Sequence, residues 1–142
     1  MAKELLLSTS VQIVPTVRDS IDSLALSSRN LYLNQDARQV ADTLYRALKA
    51  AESLWDQGAS KAECLEASMK CLEEAKAAEP SVTLKLDYIS LNDARTLEAL
   101  ADTDARAVYG DRTVLLSGAL LVNGTRLIDN LILGDQAFIF ES

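Results

Sequence analysis

Apolar residues recur at helical spacing through the middle of the first half of the chain. Asn34 is a good N-cap, Asp36 favours the first turn of a helix, and Gly58 is a typical stop signal. The pattern therefore predicts one long helix between Asn34 and Gly58. Its apolar face would consist of Ala37, Val40, Ala41, Leu44, Leu48, Ala51, Leu54 and Trp55.

A second helix is predicted directly after the first. Ser60-Lys61-Ala62-Glu63 has the composition of a capping box, and Pro80 ends the helical pattern. Only about two residues separate the two helices, so we expect them to pack as an antiparallel hairpin. Their alanine-rich stripes favour close packing.

The second half of the chain changes to the shorter period of strands. Leu84–Leu91, Thr113–Val122 and Thr125–Leu133 each read as a strand. Asn123-Gly124 between the last two is a strong signal for a two-residue hairpin. Asp93 to Leu100 reads as a short helix or turn capped by Asp93. The predicted fold class is α+β, an antiparallel helical hairpin packed on a small, mainly antiparallel three-stranded sheet.

The first thirty residues have a different pattern. Residues 2–8 are predicted to form one or two helical turns, and Val11–Val14 reads as a short buried strand ending at Pro15. That strand has no obvious neighbour nearby in the sequence. Residues 16–30 are rich in Ser, Asp and Asn and are predicted to form a loop.

Composition narrows the classes of function. The chain has 142 residues, near the usual size of one domain, and a formal net charge of −7. That charge argues against a duplex nucleic-acid binder and against a polybasic membrane-surface protein. The sequence contains no histidine, which removes histidine-based catalysis and histidine metal ligands. We therefore predict no nucleic-acid partner, no membrane partner and no metal site built from this chain.

The cysteine spacing and the lack of a recognisable targeting signal indicate a cellular compartment. Cys64 and Cys71 lie seven residues apart on a predicted helix, about 10.5 Å along its axis, which is too far for a disulfide. We expect two reduced core thiols, as in a cytoplasmic protein. No apolar stretch is long enough for a membrane span, and the first residues do not resemble a secretion signal.

The candidate chemistry lies in the loop. Leu26-Ser27-Ser28-Arg29-Asn30 brings together two hydroxyls and a guanidinium. These groups suit a phosphate, since a guanidinium offers a charged fork and hydroxyls add short-range donors. The alternative is that the segment only caps a turn. Composition alone does not separate the two interpretations.

Several segments in order resemble the pantoate–β-alanine ligase family. The first are Pro15-Thr16-Val17-Arg18 and Leu24-Ala25-Leu26-Ser27-Ser28-Arg29-Asn30-Leu31-Tyr32-Leu33. Later ones are Leu86-Asp87-Tyr88, Asp93-Ala94-Arg95-Thr96-Leu97 and Gly124-Thr125-Arg126-Leu127-Ile128-Asp129-Asn130. The resemblance covers nearly the whole chain. The family joins a Rossmann-like N-terminal domain with a histidine-containing nucleotide motif to a smaller C-terminal domain.

The resemblance implies a domain organisation. Because this chain has no histidine, we expect the N-terminal domain to be absent from it. Residues 1–30 would be a remnant helix and strand of that domain plus the phosphate-binding loop. Residues 31–142 would be the C-terminal α+β lid domain. The strand at Val11–Val14 would then belong to a sheet whose other strands are missing.

The resemblance also implies an activity. The family uses ATP and Mg²⁺ to convert pantoate to a pantoyl adenylate, and β-alanine then attacks it to give pantothenate and AMP. Ser27, Ser28 and Arg29 would bind the ATP phosphates, with Arg29 as the catalytic cation. Val17 and Leu26 would contact the adenine. ATP and Mg²⁺ would be shared with the missing domain, and pantoate and β-alanine would bind only through it. The parent enzyme is expected to be a homodimer.

Two departures from the family pattern concern this loop. Asp22-Ser23 stands where the family usually has Asp-Gly, and the segment between Arg18 and Leu24 is one residue longer. Leu26 stands where Met is common, a swap that conserves volume. The alternative function is a non-catalytic, stand-alone α+β interaction or regulatory module.

Three further features favour structural roles. Trp55 is predicted to pack at a helix end, and Arg126 with Asp129 to form a hairpin ion pair or another structural contact. The acidic pair Glu73-Glu74 is predicted to lie on a solvated face.

Overall fold

The computed structural model describes residues 16–110 and 112–134. A 3₁₀ turn at Ser28–Tyr32 comes first. The helices are α1 (Gln35–Gln39), α2 (Thr43–Asp56), α3 (Lys61–Ala78) and α4 (Arg106–Tyr109). The strands are β1 (Leu84–Asp93), β2 (Val114–Val122) and β3 (Thr125–Leu133). The α+β fold class is confirmed. The helical turns predicted at residues 2–8 and the strand predicted at Val11–Val14 lie outside the described residues.

The three strands form one antiparallel sheet in the order β1-β2-β3. The β2–β3 connection is the predicted Asn123-Gly124 turn, in which both residues have positive φ, 48° and 83°. Such a turn matches the twist of the strands that it joins. The Asn123 side chain also accepts from the Thr83 N–H at 2.8 Å, which fixes the turn to the start of β1.

The helices α2 and α3 pack against each other as the predicted hairpin. Gly58 has φ +90° at the end of α2, as a helix stop requires. Ser60 and Glu63 form the complete capping box, and the hydrogen bonds from Ser60 lower the pKa of Glu63. Inside the hairpin, the buried Ser68 hydroxyl donates to the Ala47 carbonyl at 2.8 Å.

The prediction of one helix from Asn34 to Gly58 is wrong. Asn34 does cap a helix, but α1 ends at Gln39 and a turn at residues 40–42 precedes α2. Val40 and Thr43 are β-branched and weak helix formers, and the Thr43 N–H donates to the Val40 carbonyl three residues back. Asp42 is the N-cap residue of α2, and its carboxylate pairs with Arg46, one turn further on, at 3.0 Å. The apolar spacing persists through the turn, so periodicity alone conceals the break.

Asp93 is the last residue of β1 and caps a turn. Its carboxylate accepts from the N–H groups of Arg95 at 2.8 Å and Thr96 at 3.0 Å, and these bonds hold the pKa of Asp93 below its usual range. No helix lies between Asp93 and Leu100 in the described structure, so the turn was the right alternative. The short helix α4 was not predicted.

The core lies between the helices and one face of the sheet. Trp55 is 2% exposed and meets Tyr109 edge-on, with ring centroids 6.3 Å apart, so the predicted packing role is confirmed. Gly118 sits at the centre of β2, where an added Cβ would lie 3.0 Å from Leu44 Cδ1 and 3.2 Å from the Tyr88 carbonyl oxygen. The glycine therefore permits the close approach of α2 to the sheet.

Cysteines and acidic surface residues agree with their predictions. Cys64 and Cys71 are both free thiols, the first fully buried and the second half-buried. Glu73 and Glu74 are exposed. In the part of the chain that the structure describes, no helix is long and apolar enough to cross a membrane.

Candidate functional site

Residues 17–26 form a short hairpin that leads into the Ser-Ser-Arg segment. The Leu26 N–H donates to the Val17 carbonyl at 3.0 Å, and Arg18 pairs with Ala25 as an antiparallel bridge. Val17 and Leu26 are 68% and 58% exposed. The two residues predicted to contact adenine are thus joined through their backbones, and both present apolar side chains to the outside.

The tip of the hairpin is held by two carboxylates and one guanidinium. Arg38 donates from Nη2 to Asp19 at 2.8 Å and from Nε to Asp22 at 2.9 Å. The other oxygen of Asp22 accepts from the Leu24 N–H, and Ser23 between them has φ +59°. Glycine, which adopts this left-handed conformation without strain, is usual at this position in the family that the chain resembles. The tip is therefore an ordered turn.

The base of the hairpin is attached to the sheet by a second guanidinium. Arg18 donates from Nη1 to Asp129 Oδ2 at 2.6 Å and from Nη2 to Oδ1 at 2.9 Å. Its Cζ also lies 3.9 Å from the centroid of the Tyr45 ring. The hydrogen bond to Asp129 raises the pKa of Arg18 further above its usual value. Strand β3 and helix α2 thus position the hairpin together.

The Ser-Ser-Arg segment follows as a tight turn. The Ser27 hydroxyl oxygen accepts from the Arg29 N–H at 3.2 Å, so this serine does cap the turn, as the structural interpretation expected. Asn30 is buried, and its Nδ2 donates to the Ala25 carbonyl at 2.9 Å. The side chains of Ser28 and Arg29 are exposed. The turn is thus fixed from inside by Ser27 and Asn30 while Arg29 faces outward.

Arg29 differs from most arginines of the domain in its surroundings. Five arginines pair with carboxylates, namely Arg18, Arg38, Arg46, Arg106 and Arg126. Within residues 16–110 and 112–134, the Arg29 guanidinium makes no ion pair or hydrogen bond. A guanidinium without a protein anion is suited to an anionic ligand.

A cleft of about 250 Å³ lies beside this turn. Leu26, Ser27 and Arg29 line it together with Tyr45 of α2 and Asp129 of β3. Of the five predicted site residues, Val17 and Ser28 do not line it. The structure thus brings three predicted residues to one cleft and places the other two on the adjoining surface.

Arg126 and Asp129 make structural contacts, but not with each other. Arg126 also lines the cleft and donates from Nε to Asp87 of β1 at 2.9 Å. Asp129 is held by Arg18. Both residues therefore make structural contacts, as predicted, but each pairs with a residue elsewhere in the fold.

Sequence reasoning missed the roles of Arg18, Arg38 and Tyr45. Arg18 belongs to the Pro-Thr-Val-Arg segment, which was a usable signal, but its partner Asp129 is 111 positions away. Nothing local in the sequence indicates that pairing. Across the described ranges, no three His, Cys, Asp or Glu side chains gather into a group that could hold a metal ion.

Comparison with known proteins gives consistent matches. The family described as Pantoate-beta-alanine ligase matches residues 1–132. A pantothenate synthetase of Herpetosiphon aurantiacus is 40% identical over 131 residues, covering 92% of this chain and 43% of the relative. One of Rubrobacter xylanophilus is 42% identical over 133 residues, with 94% and 42% covered.

A solved structure gives the same match in three dimensions. The pantothenate synthetase of Thermus thermophilus superposes with a TM-score of 0.69 at 39% identity, covering 92% of this chain and 42% of that one. The chain thus spans less than half the length of the relatives that it matches.

Proposed function

The chain belongs to the pantoate–β-alanine ligase family. We propose that residues 31–142 are the C-terminal ATP-lid domain of a pantothenate synthetase and that the phosphate-binding loop precedes this domain. The reaction has two steps. Pantoate attacks the α-phosphate of ATP to give pantoyl adenylate and pyrophosphate. The β-alanine amine then attacks the adenylate to give pantothenate and AMP.

The observation that carries the proposal is the state of Arg29. It is exposed, it makes no ion pair with any described residue, and it lies on a turn fixed by Ser27 and Asn30 at the edge of a cleft. A stand-alone interaction module has no need for an unpaired guanidinium on an ordered turn at the edge of a cleft. A polyphosphate supplies the anion that the site lacks.

The chemistry follows from where charge moves in the first step. As the α-phosphate is attacked, negative charge shifts onto the departing pyrophosphate. Arg29 would stabilise that charge more than the charge of bound ATP, which lowers the barrier. Ser28 would donate its hydroxyl proton to a phosphate oxygen. Ser27 would do the same, because its oxygen accepts from the Arg29 N–H and its own proton is still available.

The adenine would lie on the hairpin. The side chains of Val17 and Leu26 are exposed at one level of a two-strand ladder and offer an apolar shelf for a flat ring. Mg²⁺ would accompany ATP and neutralise part of the phosphate charge. Pantoate and β-alanine would bind in the part of the relatives that this chain does not cover, and that part would also form the homodimer. The expected compartment is the cytoplasm, without nucleic-acid or membrane partners.

The test measures the two half-reactions separately. The chain is joined to the N-terminal part of a relative, such as the Herpetosiphon aurantiacus enzyme, and Arg29→Ala is compared with the unchanged protein in single turnovers. Adenylate formation should slow by about 10²–10³, the usual loss for one preorganised donor. Reaction of preformed pantoyl adenylate with β-alanine should slow much less, because pyrophosphate has already left.

Two further variants sharpen this test. Arg29→Lys keeps the charge but loses the planar fork, so it should recover only part of the rate. Arg106→Ala is the matched control, since Arg106 pairs with Asp56 away from the cleft. Equal losses in both half-reactions, or no loss in the first, would show that Arg29 only belongs to the turn.

A further inference from the structure

Asp129 places a carboxylate in the wall of the cleft that Arg29 lines. Its side chain is 7% exposed, so solvent screens it poorly. The carboxylate accepts two hydrogen bonds from Arg18, at 2.6 and 2.9 Å, and one from the Asn130 N–H at 2.8 Å. Arg18 is thus the cation that neutralises this carboxylate.

A negative charge at this position opposes the proposed ligand. Without Arg18, Asp129 would repel a polyphosphate in the cleft or pair with Arg29 and withdraw it from the ligand. The other guanidinium lining the cleft, Arg126, is already paired with Asp87. Arg29 is left free for a ligand because Arg18 satisfies the nearby anion.

We infer that Arg18 is a positioning residue that neutralises Asp129 and thereby keeps Arg29 available for the phosphates of ATP. This inference rests on the proposed function. The two arginines then have different roles. Arg18 faces the sheet and neutralises Asp129, and Arg29 faces outward and binds the ligand. The centroid of the Tyr45 ring lies 3.9 Å from Arg18 Cζ, so a cation–π contact also holds this guanidinium.

A purely mechanical role for the pair predicts a different result from neutralisation. If Arg18 only fastens the hairpin to β3, then removing either partner breaks the same link, and removing both is no better than removing one. If Arg18 neutralises Asp129, then loss of Arg18 is harmful only while Asp129 is charged. Asp129→Asn should therefore suppress the effect of Arg18→Met.

The experiment joins the 142-residue chain to the N-terminal part of the Herpetosiphon aurantiacus relative, titrates the joined protein with MgATP and follows the backbone amide resonances of Ser28 and Arg29 by NMR. The proteins compared are the unchanged chain, Arg18→Met, Asp129→Asn and the double variant. Methionine is chosen because it keeps much of the length of the arginine stem. Arg106→Met is the control for losing one positive charge, because Arg106 pairs with Asp56 outside the cleft. Dispersed spectra and thermal unfolding show that each variant is folded, and the neutral Arg18→Gln replaces Arg18→Met if the latter does not fold.

The expected results are specific to each variant. Arg18→Met should bind MgATP about tenfold more weakly, as expected for one unscreened charge nearby. Asp129→Asn should bind at least as tightly as the unchanged chain, and the double variant should regain most of the tenfold loss. Arg106→Met should bind like the unchanged chain.

Two outcomes would overturn the inference, and they are distinguishable. If the unchanged chain responds at Ser28 and Arg29 but the double variant binds no better than Arg18→Met, the pair is only a fastening and the proposed function stands. If the unchanged joined protein binds MgATP but shows no response at these residues, the phosphate site itself is wrong and this inference falls with it.

Discussion

Asn30 donates from its side-chain amide to the carbonyl of Ala25, at 2.9 Å, across the base of the Ser-Ser-Arg turn. Asn30 is 8% exposed, and its Oδ1 has no hydrogen-bond partner among the described residues. The side chain therefore contributes one bond that connects the hairpin to the turn behind Arg29.

The first prediction concerns that bond. Asn30→Ala should lower the free energy of unfolding by about 1 kcal/mol, the usual net value of one hydrogen bond. Asn30→Asp should cost more, because it sets a buried carboxylate against the Ala25 carbonyl. Urea denaturation measures both. Asn130→Ala is the control, an exposed asparagine on β3. Equal stability of the Asn30 and Asn130 alanine variants would contradict the assignment.

The second prediction concerns Ser23. Its φ of +59° costs a non-glycine residue roughly 1 kcal/mol. Ser23→Gly removes that strain but increases the entropy of the unfolded chain, so the net gain should be between about 0 and 1 kcal/mol. Ser23→Val, which is β-branched, should lose about 1–2 kcal/mol. Thermal unfolding ranks the three proteins, and a valine variant as stable as the glycine variant would show that the turn does not hold this conformation in solution.

The third prediction concerns stability at alkaline pH. Burial raises the pKa of Cys64 to about 11, whereas in the unfolded chain the thiol ionises near its ordinary value of about 8.5. Between these two values only the unfolded state loses the proton. The free energy of unfolding should therefore be unaffected by this group below about pH 8.5 and fall by about 2–3 kcal/mol as the pH approaches 11.

Urea denaturation of Cys64→Ala at pH 8 and pH 10.5 isolates this effect from lysines and tyrosines that titrate in the same range. The variant should be less stable at pH 8, because it leaves a small cavity, but should lose less stability on going to pH 10.5. Ser68→Ala is the control, since it removes a buried hydroxyl from the same helix but no group that ionises in this range. Parallel losses in the Cys64 variant and the unchanged chain would refute the prediction.

The fourth prediction is that the 142-residue chain alone does not make pantothenate. It corresponds to 43% of the Herpetosiphon relative, and it contains no histidine, whereas the family's nucleotide motif has one. A coupled assay for AMP or pyrophosphate with pantoate, β-alanine, ATP and Mg²⁺ should show no turnover. The same chain joined to the N-terminal part of a relative is the positive control. Turnover by the isolated chain close to that of an intact relative would be incompatible with the domain assignment.

The features predicted correctly from the sequence are those whose signal is local. The Ser60–Glu63 capping box and the Asn123-Gly124 turn each depend on residues within three positions of one another. The break before α2 was missed because the buried face continues through it, so the apolar period is intact while the backbone turns. The domain division at residue 30 stays a prediction, although Arg18 on one side contacts Asp129 on the other.

The candidate site was predictable only in part, for a related reason. The resemblance identified Val17 and Leu26–Arg29, and the structure places Leu26, Ser27 and Arg29 at one cleft. The groups that hold them in place come from distant parts of the chain, Asp129 for Arg18 and Arg38 for Asp19 and Asp22. A single sequence does not show which charged residues pair with each other. The difference between Arg18, which pairs with Asp129, and Arg29, which has no such partner among the described residues, is therefore visible only in the structure.

The absence of a side chain at Gly118 affects the depth of the cleft, although Gly118 does not line it. A methyl group there would press on Leu44, which lines the cleft next to Tyr45. Because the carbonyl of Tyr88 lies behind that methyl position and belongs to the backbone, the displacement would be taken up largely by Leu44 and the start of α2. The depth of the cleft thus depends on the packing of Leu44 against the middle of the sheet. Gly118→Ala is therefore expected to make the cleft shallower from behind, without a change to any residue on its surface.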